Sequence, residues 1–151
     1  MGFLQDKKIL ITGLLSNRSI AYGIAKACHR EGAQLAFTYV NDKLKDRVVD
    51  MAAEFGSDIV LRCDVANDED INQLFVDLAQ RWDGLDGFVH AIAFAPREAL
   101  EGDFLDSLSR EAFQVAHDIS AYSFPALARA ARPMMRGRNG ACLTLSYLGA
   151  V

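Results

Sequence analysis

A loop that could bind an anion follows the first apolar run of the chain. Gly13 can turn sharply and let a phosphate approach the backbone, and Ser19 can cap the helix that comes next. The free N–H groups at the start of that helix would then face the anion. The sequence TGLLSNRSIAYG nevertheless lacks the closely spaced glycines of the usual dinucleotide fingerprint. From these residues alone, a nucleotide-binding loop and an ordinary strand-to-helix turn both stay open.

Further positions could contact the adenosine half of a nucleotide. Asp64, in CDVAND, could accept a hydrogen bond from an adenine amino group while Val65 packs on the ring, but Asp64 is equally suited to form a turn or cap a helix. After the second apolar run, where a ribose-binding acid or a phosphate-binding arginine is usual, the chain has Thr38, Tyr39 and Val40. These three side chains give no preference between NADH and NADPH.

Apolar runs and helical spacing alternate along the chain, and they define the elements that must position these loops. Short apolar runs bounded by turn residues predict buried strands at residues 7–12, 34–38, 59–62, 87–91 and 141–145. The spacing of apolar residues predicts helices at residues 19–31, 42–55, 68–82 and 110–135. The alternation predicts an α/β fold, a doubly wound parallel sheet of the Rossmann type in one domain. Its ligand should lie at the carboxyl ends of the strands.

Composition excludes several other classes of function. The formal charge of −4 and the pI near 5.3 argue against nucleic acid as the main partner, which would require a basic stripe. Cys28, Cys63 and Cys142 have no metal-ligand spacing, so we expect no metal site. No apolar run approaches the ~20 residues of a membrane span, and the start of the chain does not resemble a signal peptide. We therefore expect a cytoplasmic protein without a membrane partner.

Several segments, taken together and in order, resemble one enzyme family. They are TGLLSNRSIAYGIAKACHREGAQLAFTY, CDVAND, FVHAIAFAP, AHDISAYS and LTLSYLGA. This set closely resembles the bacterial NADH-dependent enoyl-acyl-carrier-protein reductases, which are divergent short-chain dehydrogenases. The resemblance implies reduction of a trans-2-enoyl thioester, carried on acyl carrier protein, to the saturated acyl form during fatty-acid elongation. It also implies NADH as the cofactor and a homotetramer for the full-length form.

The resemblance implies a role for individual positions. Gly13, Ser19 and Ile20 would hold the pyrophosphate and the neighbouring ribose, and Asp64 and Val65 would flank the adenine. The remaining implied positions are Ile92 beside the nicotinamide ribose, Ala95 in the acyl pocket, and Tyr147 in the catalytic and substrate site.

The chain departs from the family pattern at a few places. Val40 stands where many members have a glutamine that reaches the adenine edge, and Ala91 and Ala93 stand where serine and glycine are common. The family's Tyr-(x)6-Lys catalytic pair would follow residue 151. We therefore expect residues 1–151 to be the cofactor half of the enzyme, a truncated product or a fragment incomplete at the carboxyl end. Alone, this chain should fold poorly and lack reductase activity.

Two alternatives stay open at this stage. Another short-chain dehydrogenase, such as a ketoreductase, would share the fold, although that class prefers a compact glycine loop and an Asn-Asn-Ala-Gly segment where this chain has HAIAF. A non-catalytic nucleotide-binding module would account for the absence of the catalytic pair.

Overall fold

The computed structural model describes residues 2–150 as five strands with helices between them. The strands are β1 (Lys8–Ile11), β2 (Gln34–Tyr39), β3 (Val60–Arg62), β4 (Gly87–His90) and β5 (Ala141–Thr144). The helices are α1 (Ile20–Arg30), α2 (Asp42–Glu54), α3 (Asp68–Ala79), α4 (Phe104–Ser107), α5 (Arg110–His117) and α6 (Ser123–Met135). Short 3₁₀ turns span Arg97–Leu100 and Leu148–Ala150. Each predicted strand is present, with its ends within one residue of the expected positions.

The strands form one parallel sheet in the order β3-β2-β1-β4-β5. The chain adds strands on one side of β1 as far as β3, then crosses back to place β4 on the other side. The strand order therefore reverses between β1 and β4. This confirms the predicted doubly wound parallel sheet, and it places the switch point, where open α/β sheets bind ligands, beside the loops that follow β1 and β4.

Alternate residues of the central strands enter two separate cores. Leu10 and Phe88 pack against α3 and α6 on one face of the sheet. Ile11 and Phe37 pack against α1 and α2 on the other face. Because both faces are covered, the strands are apolar nearly throughout, which is why they are visible in the sequence as continuous apolar runs.

The predicted helix at residues 110–135 is wrong as a single α-helix. A π-helical segment, Asp118–Tyr122, separates α5 from α6. Pro125 follows this segment closely and has no N–H to donate one turn back, so a regular hydrogen-bond ladder cannot continue through it unchanged. Residues 94–107, for which the sequence predicts neither helix nor strand, contain the Arg97–Leu100 turn and α4.

Candidate nucleotide site

A cleft of about 410 Å³ opens at the carboxyl ends of β1 to β4. Four loops line it, at residues 13–15, 38–41, 63–66 and 91–94, together with Leu44 and Val48 of α2 and Ile119 of the π segment. Its volume falls within the range of small-molecule sites, and its walls are mostly apolar with a few polar groups. All four loops are among those that the fold prediction placed at the ligand-binding edge.

Gly13 is required by its backbone geometry. Its φ angle is +81°, a region that side chains other than glycine rarely adopt, and a Cβ at this position would collide with the Ala91 carbonyl. Thr12 joins the same two loops, because its buried hydroxyl donates to the Val89 carbonyl at 3.0 Å and accepts from the Ala91 N–H at 3.4 Å. The loops after β1 and β4 are therefore held in close contact at the switch point.

The loop after Gly13 leads into a capped helix. Ser19 is the N-cap of α1: its hydroxyl accepts from the Tyr22 N–H at 3.2 Å and donates to the Ser16 carbonyl at 2.7 Å. The first N–H groups of a helix have no partner within it, so those of Ile20 and Ala21 are open to an acceptor. Neither Ser19 nor Ile20 lines the cleft itself, and the Ile20 side chain is exposed.

The loop after β3 forms the opposite side of the cleft. Asp64 adopts the turn-forming role, with Oδ1 accepting from the Ala66 N–H at 3.0 Å, while its own N–H donates to Asp70 Oδ2 at 3.0 Å. Val65 is buried and Val40 is partly exposed, and both line the cleft with Asp64. Burial, with smaller effects from the Asp70 and Asp64 carboxylates, raises the pKa of Cys63 to about 12, so this lining residue is a neutral thiol.

The loop after β4 supplies the remaining wall, and we call residues 91–94 the β4 wall. Ile92 lies in this wall, and Ala93 and Phe94, which also line the cleft, are exposed. Ala95 follows the wall but does not line the cleft. Tyr147 lies in the loop after β5, is 84% exposed, and is also outside the cleft.

Four side chains outside the predicted set support the β4 wall. Ser120 of the π segment accepts from the Phe94 N–H at 2.9 Å and donates to the Phe94 carbonyl at 3.0 Å. His90, buried at the end of β4, contacts Ser123 Oγ at 2.7 Å and Thr144 Oγ1 at 2.9 Å. The signals for them in the sequence are the histidine that ends the otherwise apolar run GFVH and the segment AHDISAYS, which contains both serines.

Comparison with known proteins places the chain in a family. The model of the family described as enoyl-(acyl carrier protein) reductase matches residues 13–151. The chain belongs to the enoyl-(acyl carrier protein) reductase family. This membership favours the enoyl reductase prediction over the ketoreductase alternative.

Curated relatives in this family are similar along the whole chain. The enoyl-[acyl-carrier-protein] reductase [NADH] FabI of Neisseria meningitidis is 73% identical over 151 residues, which are 100% of this chain and 58% of that protein. The protein of the same name from Escherichia coli is 59% identical over 150 residues, covering 99% of this chain and 57% of its own length. The chain thus spans somewhat more than half the length of these relatives.

Solved structures of family members share the fold described above. The enoyl reductase (NADH) of Aquifex aeolicus superposes with a TM-score of 0.95 at 56% identity, covering 99% of this chain and 59% of that one. The Anaplasma phagocytophilum reductase, crystallised in complex with NAD, gives a TM-score of 0.91 at 40% identity, covering 99% of this chain and 57% of that one.

Residues 2–150 contain neither a candidate metal-binding cluster nor a candidate membrane-spanning helix. No group of three or more His, Cys, Asp or Glu side chains is arranged to hold a metal ion within these residues. Within the same range, no helix combines the length and the apolar character that crossing a membrane would require.

Proposed function

We propose that residues 1–151 form the NADH-binding domain of an enoyl-[acyl-carrier-protein] reductase, which reduces a trans-2-enoyl thioester on acyl carrier protein to the saturated acyl form. The observation that carries this proposal is the cleft at the β1–β4 switch point, where Gly13 packs on Ala91. The 73% identity to a relative named for this activity supports the choice of reaction. The cytoplasmic location stays a prediction.

The groups around the cleft fit a nicotinamide dinucleotide. The apolar side chains of Val65 and Ile92 offer surfaces for flat rings, and Gly13, which lines the cleft, has no side chain to keep a ligand away from its backbone. The open N–H groups of the first turn of α1 suit a pyrophosphate, because unpaired helix N–H groups and the helix dipole favour an anion. When bound, the nicotinamide would supply a hydride to the β-carbon of the enoyl thioester.

We assign roles within this proposal as follows. Asp64, Val65 and Val40 hold the adenosine end, with the free Asp64 oxygen accepting from the adenine amino group. Gly13, Ser19 and Ile20 hold the pyrophosphate and its ribose. Ile92 packs beside the nicotinamide ribose, and the substrate-side positions are Ala95 for the acyl chain and Tyr147 for the thioester region.

The support for Tyr147 comes from strand neighbours. Thr144, at the end of β5, pairs with His90 at the end of β4, so the loop carrying Tyr147 leaves the same edge of the sheet as the β4 wall. An exposed tyrosine hydroxyl at that edge could stabilise the enolate oxygen that forms after hydride transfer.

A homotetramer is the assembly that we propose for the full-length enzyme. Large apolar side chains on α4 and α5 support it, since Phe104 is 67% exposed, Leu105 74% and Phe113 53%. A cluster of exposed apolar side chains of this kind is typical of a protein contact. The mass in solution, measured by light scattering, tests this assembly, and a monomeric enzyme with full activity would contradict it.

Two measurements test the proposed function. First, the chain joined to the rest of the Neisseria relative is titrated with NADH and NADPH by fluorescence or calorimetry, and we expect saturable NADH binding. Second, the chain is joined to the rest of the Neisseria relative, and NADH oxidation is followed with a short trans-2-enoyl thioester. We expect turnover by the joined protein and none by the 151 residues alone. A folded joined protein that binds NADH but gives no turnover would favour the non-catalytic module instead.

A further inference from the structure

The π segment changes which carbonyl each backbone N–H reaches. The Ser123 N–H is directed to the Asp118 carbonyl, five residues back, instead of to Ile119 as in an α-helix. The Ile119 carbonyl is therefore left for the Ser123 side chain, whose hydroxyl donates to it at 2.6 Å. Ser123 is fully buried, so bulk solvent does not compete for its hydroxyl.

This bond fixes the proton on His90. A hydroxyl carries a single proton, and that of Ser123 is given to Ile119, so the 2.7 Å contact between Ser123 Oγ and His90 Nε2 requires an N–H on Nε2. Nδ1 is then the acceptor for the Thr144 hydroxyl at 2.9 Å. The opposite tautomer would leave the Ile119 carbonyl without its donor. Burial also lowers the pKa of His90, against a smaller opposing effect of a backbone hydrogen bond, which agrees with a neutral ring.

The resulting hydrogen bonds support the β4 wall at both ends of the wall. His90 directly precedes residue 91, and Ser120 holds the N–H and the carbonyl of Phe94. One anchor, Ser120, lies in the π segment, and the other, Ser123, begins α6 and donates to the Ile119 carbonyl of the π segment. Ile119 also contributes to the cleft lining. Residues 91–94 belong to no helix or strand, so side chains must supply part of the support that regular hydrogen bonding gives elsewhere.

We propose that Ser120 and Ser123 are positioning residues of the nucleotide cleft, Ser120 through the Phe94 backbone and Ser123 through a neutral His90 protonated on Nε2. Together they hold the β4 wall against the π segment. The consequence for cofactor binding rests on the proposed function, whereas the geometry of the wall does not.

The first test needs no ligand and uses the 151 residues joined to the rest of the Neisseria relative, because residues 1–151 alone are expected to fold poorly. The ring nitrogen shifts of His90 are measured by NMR, and amide exchange is measured at Ala91 and Phe94. The variants are Ser120→Ala, Ser123→Ala and Ser123→Thr, and Ser57→Ala is the control because Ser57 also donates to a backbone carbonyl, Leu35, but lies away from the cleft. We expect Nε2–H in the parent chain and exchange at the wall about tenfold faster in both cleft serine-to-alanine variants.

Threonine at residue 123 should restore slow exchange, and Ser57→Ala should leave it unchanged. A parent ring protonated on Nδ1 would overturn the role of Ser123. We compare amide exchange at the wall between variants of equal global stability. The whole proposal would be overturned if this exchange were no faster in Ser120→Ala and Ser123→Ala than in Ser57→Ala.

The second test measures NADH affinity in the same four variants. We expect Kd about threefold to tenfold higher for Ser120→Ala and Ser123→Ala, and close to the parent value for Ser123→Thr and Ser57→Ala. A parent chain that binds no NADH would contradict the proposed function, while exchange and tautomer would still decide the positioning roles. Unchanged affinity in variants with a loosened wall would overturn the claim that these serines position the cleft.

Discussion

Gly13 and Ala91 lie in such close backbone contact that residue 13 has no room for a side chain. Gly13 follows β1 and Ala91 follows β4, so this contact joins the two loops at the point where the strand order reverses. Any atom added at residue 13 must push the two loops apart, and those loops are two of the four that line the cleft.

Gly13→Ala should lower both stability and nucleotide affinity. A side chain at φ +81° costs about 1–3 kcal/mol, and displacement of the Ala91 carbonyl adds to that cost. Urea unfolding monitored by circular dichroism gives the loss directly. Gly23→Ala is the matched control, because a Cβ at Gly23 meets nothing within 4 Å and alanine stabilises a helix by up to about 1 kcal/mol. Equal stability of the two variants would contradict the prediction.

Val40→Gln should tighten NADH binding. Val40 lines the cleft and is 37% exposed, and a glutamine there could form one hydrogen bond with the adenine edge. One net hydrogen bond contributes about 0.5–1.5 kcal/mol, or roughly a twofold to tenfold lower Kd. Val49→Gln, on α2 outside the cleft and 42% exposed, controls for the change in surface polarity. A Kd of Val40→Gln for NADH that is equal to or higher than that of the parent chain would show that the adenine does not reach this edge.

The stability of the chain should fall in mild acid because of His90. Burial lowers its pKa in the folded state below the value of about 6.5 in the unfolded chain, so the unfolded chain binds more protons in the window between the two. Stability is therefore complete above about pH 6.5 and decreases as the pH falls through that window. The ring partners Ser123, Thr144 and Phe124 carry no charge that could offset this loss.

Melting temperatures measured at a series of pH values test this dependence. His90→Gln should flatten the decrease below about pH 6.5, whereas His29→Gln, at an exposed position, should keep it. A parent-like decrease in His90→Gln would assign the acid sensitivity to another group.

The three cysteines should react with a thiol reagent in a fixed order. Cys142 is exposed, Cys28 is partly buried, and Cys63 is buried with its pKa raised to about 12. The thiolate is the reactive form, so Cys63 should be labelled last. Peptide mass spectrometry after timed labelling gives the order. Rapid labelling of Cys63 in the folded chain would show that its thiol becomes accessible to solvent through the cleft.

Asp86→Ala should destabilise the chain by about 1–3 kcal/mol. The Asp86 carboxylate is largely buried, accepts from the Lys8 N–H at 2.9 Å and pairs with Arg138 at 3.4 Å. Its loss leaves the Lys8 N–H without its acceptor and removes one of the two carboxylates that pair with Arg138, the other being Asp83. Asp58→Ala removes an exposed ion pair with Arg81 and should cost about 1 kcal/mol or less. Similar unfolding midpoints for the two variants would contradict the difference in burial as the cause.

Much of the fold could be predicted because both faces of the sheet are buried. Residues such as Leu10 and Ile11 point to opposite cores, so nearly every position of the strand is apolar and the run is easy to see. The π segment could not be predicted, because its register depends on Ser123 reaching both Ile119 and His90, a contact between residues distant in the sequence.

The cleft was predicted in part for a related reason. Carboxyl ends of parallel strands converge, so Gly13, Asp64 and Ile92 come together by topology alone. Ile119 was missed because it comes from a helical segment instead of a strand end. Ser19, Ala95 and Tyr147 do not line the cleft, and the positions of their loops depend on contacts that no local pattern encodes.

The length of the strands separates the charged residues at the amino end of the sheet from the loops at its carboxyl end. Asp83 and Asp86 join Lys8 and Arg138 at one end, and none of the four lines the cleft at the other. Mutations that change which molecule is bound can therefore accumulate at the carboxyl edge of the sheet without weakening the ion pairs at its amino edge. A sheet divided in this way gives natural selection, or an engineer, two nearly independent surfaces to alter.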